Sequence, residues 1–165
     1  MFHADLVNPF LQGAVEFFKS ELNTCIDRGK LRLEASRATP QQVNIIVAVT
    51  GDAEGLVLYS MTERTAKNIA STMTGSPVPV FDELAESALA EMGNIITGQA
   101  AAGLEKMGFT CRISPPALVY GEGTIISTVD IKRLVVPIRI ESLGDLDISI
   151  ALRKSDCALT AKASG

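Results

Sequence analysis

The longest regular pattern in the chain runs from Phe81 to about Met107. There Phe81, Leu84, Ala85, Ala88, Leu89, Met92, Ile95, Ile96, Ala100 and Met107 recur on one side at about 100° per residue. The pattern predicts a long helix with one broad buried face, which must lie on an equally broad apolar surface. Two strictly alternating runs supply that surface. Leu134, Val136, Ile138 and Ile140, then Leu146, Ile148, Ile150 and Leu152, each put their apolar residues on one face of a strand, and Ser142-Leu143-Gly144-Asp145 between them has turn chemistry. A long helix packed on antiparallel sheet is the implied arrangement.

The other segments fit the same plan. Residues 8–23 read as a second long helix, with Asn8 as cap, Pro9 at the first helical position, and Phe10, Ala14, Phe17, Phe18 and Leu22 at helical spacing. Arg28-Gly29-Lys30 breaks the chain before a short strand at Leu31-Arg32-Leu33. Residues 43–49 and 55–59 form a hairpin across Thr50-Gly51-Asp52-Ala53-Glu54. Thr62 caps a short helix through Met73, which Gly75 ends ahead of a linker with Pro77 and Pro79. Residues 112–114, 117–120 and 125–129 are further short strands. The order of helix, strands, two helices and strands predicts an α+β fold, an antiparallel sheet packed with two long helices and one short helix. At 165 residues, a single domain over 1–165 is expected.

Several function classes are disfavoured before any motif is considered. The net charge is −4, with Lys and Arg dispersed, so the chain lacks the basic stripe that neutralises nucleic-acid phosphates. No apolar run is long enough for a bilayer, and residues 1–5 lack signal-peptide character, so a cytoplasmic location with no membrane partner is expected. Cys25, Cys111 and Cys157 are scattered and read as core or near-core thiols. One histidine, His3, leaves Ser-His-Asp, Cys-His and His-based metal chemistry without material. No phosphate-binding glycine motif occurs, and Gly121-Glu122-Gly123 reads as a turn. No metal or cofactor site of the chain's own is expected.

Opposite the apolar stripe of the long helix lie Glu83, Ser87, Ala90, Glu91, Asn94, Thr97, Gly98 and Ala101, with Ser87, Glu91, Asn94 and Gly98 in a narrow arc. A solvent-facing helix ordinarily carries long charged side chains there. Small residues, with glycines at 93 and 98 that each cost up to about 1 kcal/mol against alanine, permit close approach instead. Either a neighbouring helix of the same domain covers this face, or a partner docks on it.

The pattern Ser87-x-x-x-Glu91-x-x-Asn94, followed by Pro115-Pro116, resembles the signature of the CheX/CheC family of chemotaxis phosphatases. The likeness extends to an opening helix at Val7-Asn8-Pro9-Phe10 and a hairpin around Val49-Thr50-Gly51. Pro116 stands one residue closer to Asn94 than the family spacing has it. CheC-like members repeat the Glu and Asn pair on another helix. Here the first helix has Glu16 with Lys19 and Glu21 with Thr24 in its place, so the chain looks like CheX.

The resemblance implies a CheC/CheX-like fold and a protein phosphatase that acts on the aspartyl phosphate of a CheY-like response-regulator receiver domain. By that likeness Asn94 orients the attacking water, Glu91 pairs with the receiver lysine, and Ser87, Gly98 and Pro116 belong to the docking surface. Mg²⁺ is expected on the partner receiver. The chain is expected to form a homodimer, as CheX relatives do, with the long alternating strands near the carboxyl end leaving an edge for it. A non-catalytic interaction module of a chemotaxis or flagellar-switch assembly is the alternative, because fold alone does not assign activity.

Overall fold

The computed structural model describes residues 4–38 and 41–156. Its elements are α1 (Asn8–Leu22), β1 (Ile26–Arg28), β2 (Arg32–Glu34), β3 (Arg37–Ala38), β4 (Val43–Gly51), β5 (Ala53–Met61), α2 (Glu63–Thr74), α3 (Glu83–Lys106), β6 (Cys111–Ile113), β7 (Ala117–Tyr120), β8 (Ile126–Ser127), β9 (Arg133–Ile140) and β10 (Gly144–Lys154). The expected α+β arrangement is present: among the described residues three α-helices and an antiparallel sheet.

The main sheet has the order β1-β9-β10-β5-β4-β6, with β2 also on β9 and β7 also on β4. β10 is central and pairs with β5 from Leu146↔Met61 to Lys154↔Ala53. Period-2 alternation is visible in the burial. Val136, Ile138, Ile140, Leu146, Ile148, Ile150 and Leu152 join Val43, Ile45, Val47, Val57 and Tyr59 in one core with the inner faces of the helices. The reverse face is mixed, with buried Leu58, Val135 and Ala151 beside buried Asn44, Ser60 and Ser149. The β3–β8 ribbon is a separate pair. Arg133, buried in β9, ties it to the sheet by donating to the carbonyl oxygens of Ser36 and Ile126.

Several expectations need correction. Asn8 is the first residue of α1 and does not cap it; Val7 holds the cap position with no side-chain bond, and Pro9 fits the first turn because its missing N–H is not needed there. The five-residue loop expected between β4 and β5 is mostly strand. Gly51 pairs with Cys111, and Asp52 exchanges bonds with Thr110, its N–H donating to the carbonyl and its carboxylate accepting from the Thr110 N–H, so contacts from β6 tighten the turn. β1 was not expected, and with β2 it covers the outer edge of β9. The long alternating strands therefore leave no open edge, which removes the structural motive for the expected homodimer. Cys25 is exposed and not a core thiol, while Cys111 is half-buried against the edge of the core, the near-core position expected of it. His3 and Cys157 lie outside the described residues.

Thr62 does cap α2, accepting from the Thr65 N–H, and Gly75 ends it in the left-handed region at φ 70°. Asp82 caps α3 in the same way, accepting from the Ala85 N–H at 3.0 Å. The start of α3 is held from the side as well. The Tyr120 ring stacks on Phe81 with centroids 5.2 Å apart, and its hydroxyl donates to Glu63 at the start of α2. The carboxyl half of α3 is gripped by α1: a Cβ on Gly13 would come within 2.9 Å of the Ile96 carbonyl, and one on Gly103 within 3.0 Å of Pro9. Glycine is required at Gly13 for that approach.

Candidate functional site

With its start anchored and its end packed under α1, α3 presents its middle turns to solvent. Ser87, Glu91 and Asn94 are all exposed, and none has a side-chain hydrogen bond or ion pair with any described residue. Glu91 and Asn94 are one turn apart, a spacing that sets Cβ atoms about 5–6 Å from each other on the same face. Gly98, the next position along the stripe, is half-buried, with Ile113 Cδ1 4.0 Å from where its Cβ would be.

The question of what covers the small residues has a divided answer. α1 covers the carboxyl half of α3, while Ser87, Glu91 and Asn94 stay open. Two assignments on the wheel change as a result. Thr97, expected on the outer face, is fully buried and bonded to Gly93 and Tyr59. Gly93 serves the sheet rather than a docking partner, since a Cβ there would stand 2.7 Å from Ile45 Cγ2.

Leu84 and Met107 also depart from expectation, being 61% and 44% exposed instead of buried. Leu84 belongs to the stripe Leu84, Ser87, Glu91, Asn94, whose spacings of three, four and three residues keep it on one helical face. The helical period set Leu84 at the margin of the apolar side; in the fold that margin belongs to the open face. Pro115 is exposed and Pro116 half-buried in the connection between β6 and β7, and both of those strands run beside α3.

The site is convex. One cleft elsewhere is lined by Thr62, Arg64, Thr65 and Asn68, another by Pro9, Gln12, Gln99 and Gly103, and neither includes Glu91 or Asn94. Small substrates are bound in concave pockets. An exposed carboxylate and carboxamide on a helix surface are placed instead where a partner's surface can reach them. Asn94 can both donate and accept hydrogen bonds there, and Glu91 offers a charged acceptor. Among the described residues no group of three or more His, Cys, Asp or Glu side chains comes together as metal ligands, and no helix is long and apolar enough to cross a membrane.

The family model of the chemotaxis phosphatase CheX matches residues 43–139. The CheY-P phosphatase CheX of Thermotoga maritima is 30% identical over 151 residues, which make up 91% of this chain and 97% of that protein. A solved CheX–CheY–BeF3–Mg²⁺ complex from Borrelia burgdorferi contains a chain 30% identical to this one, with a TM-score of 0.78, covering 92% of this chain and 100% of that one. A CheC-like superfamily protein from Shewanella shares the fold at a TM-score of 0.82 and 23% identity, over 92% of this chain and 99% of that one.

Proposed function

This chain belongs to the family of the chemotaxis phosphatase CheX, and from that premise we propose that it hydrolyses the aspartyl phosphate of a CheY-like receiver domain, with Asn94 orienting the water and Glu91 holding the receiver. The observation that carries the reading is the open pair itself. A carboxylate and a carboxamide stand one turn apart on a helix fixed at both ends, with no side-chain partners among the described residues.

The chemistry is a displacement at phosphorus: a water oxygen bonds to phosphorus, the bond to the aspartyl oxygen breaks, and the receiver recovers its carboxylate while inorganic phosphate leaves. Such a reaction is accelerated mainly by positioning and by electrostatic stabilisation. The Asn94 carboxamide oxygen accepts a hydrogen bond from the water, and its N–H₂ donates to a phosphoryl oxygen, which holds the water in line. Glu91 pairs with a receiver lysine in a charge-assisted contact that fixes the pose. Ser87, Gly98, Pro116 and the exposed Leu84 complete the docking surface. Mg²⁺ belongs to the receiver in this reading, where it offsets charge on the phosphoryl oxygens. The Borrelia burgdorferi complex, which contains CheY, BeF3 and Mg²⁺ with a 30% identical chain, supports that assignment.

We read residues 1–165 as one phosphatase domain that works in the cytoplasm as a homodimer. Timing phosphate loss from a phosphorylated CheY-type receiver, with and without the protein, tests the activity. Loss no faster than the receiver's own decay overturns it.

A further inference from the structure

Water orientation by Asn94 demands that its helix be held accurately, because a misplacement of about 1 Å can cost roughly 10²-fold in rate. Apolar packing alone fixes the height of a helix over a sheet better than its rotation. The inner face of α3 beneath the motif carries something apolar packing does not need, a fully buried polar pair. The Thr97 hydroxyl lies 2.6 Å from the Gly93 carbonyl oxygen and 2.7 Å from the Tyr59 hydroxyl, and both side chains are 0% exposed. Tyr59 stands in the middle of β5, opposite Ile45 on β4 and Ile148 on β10.

The directions of these bonds follow from proton counting. A carbonyl only accepts, so the single Thr97 proton goes to Gly93, and the Thr97 oxygen accepts from Tyr59. Burial pushes the Tyr59 phenol far above its ordinary range, which keeps it a donor. Stability does not explain the arrangement. A threonine bonded back to the carbonyl four residues earlier slightly disfavours a straight helix, and Val with Phe would fill the same space without desolvating two hydroxyls. What the pair supplies is direction. Gly93 sets the height of the turn against Ile45, the Tyr59–Thr97 hydrogen bond ties its rotation to β5 while the Thr97–Gly93 bond stays within α3, and Asn94 sits in that same turn on the outer side.

We propose that Tyr59 and Thr97 are positioning residues for the phosphatase reaction, acting through the Gly93 to Thr97 turn on the side chain of Asn94. The inference rests on the water-orienting reading of Asn94. It requires that losing either hydroxyl lower kcat while leaving receiver docking, which is spread over Ser87, Glu91 and Leu84, nearly unchanged.

The test compares Tyr59→Phe, Thr97→Val, Thr97→Ser and Asn94→Ala with the parent protein, using a purified CheY-type receiver phosphorylated by a small phosphodonor. Circular dichroism confirms folding of each variant. Expected are a kcat lowered on the order of tenfold in Tyr59→Phe and Thr97→Val, with KM within about twofold, and recovery of most of kcat in Thr97→Ser. A purely structural role would lower the melting temperature and leave kcat of the folded variants alone. Parental kcat in folded Tyr59→Phe overturns the inference, including the case where Thr97→Val does not fold, and so does a Thr97→Ser as slow as Thr97→Val. Asn94→Ala separates the two levels. If it runs at the parental rate, the reading of Asn94 is what fails; if it is slow while Tyr59→Phe is not, only the positioning chain fails.

Discussion

Asn94→Ala should still bind a beryllofluoride-loaded receiver but lose most of the rate, by about 10²–10³-fold, the usual loss for a removed preorganised polar group. Binding by calorimetry beside single-turnover phosphate release checks both halves. Glu91→Ala should weaken docking as well as rate, because its proposed partner is a lysine of the receiver. Glu91→Gln should behave like Glu91→Ala if charge is what matters, and parental KM should then rise with salt as the pair is screened. Both residues are exposed and have no side-chain partner among the described residues, so each change should move stability by less than about 0.5 kcal/mol in a thermal melt. The pair was legible in the sequence because two polar side chains one turn apart stand out among small neighbours. Thr97 was not, since a helical wheel counts its hydroxyl as solvent-seeking and cannot know that Tyr59 waits in the sheet. Leu84 was misplaced for the converse reason, as an apolar side chain that stays in water.

Gly93 decides how α3 as an element meets the sheet. Gly93→Ala gains about 1 kcal/mol in helix propensity but drives a Cβ to 2.7 Å from Ile45 Cγ2, an overpacking that typically costs about 1–3 kcal/mol. The expected result is a lower melting temperature together with a slower reaction, since Glu91 and Asn94 flank the displaced residue. Combining it with Ile45→Ala should restore part of the rate. Asp82→Ala makes the contrast: loss of the α3 cap should cost about 1 kcal/mol in stability and leave kcat unchanged, because Asn94 lies about 18 Å further along the helix. Helices were well legible because their period is carried by many residues. The short strands were less so: β1 and β3 have little pattern of their own and exist because β9 and β8 offer them backbone partners.

For the whole molecule, the alternating runs announced a sheet without revealing its order. They form its interior, with β10 between β5 and β9 and with β1 and β2 outside β9. The homodimer therefore rests on the family likeness, and light scattering at micromolar concentration should give twice the mass of one chain; a monomer mass excludes it. The order of the strands also bears on how the chain is made. β5 ends at Met61, yet its partner on one side begins at Gly144, so during synthesis the edge carrying Val57 and Tyr59 stays open while α2, α3 and four strands emerge from the ribosome. Apart from the β9–β10 hairpin, every later strand pairing is long-range, a topology that folds slowly and exposes unpaired strand edges along the way. The sheet beneath α3 can close only when the last strand arrives, so a chain stopped short of β10 would be a template for aggregation rather than a slower phosphatase.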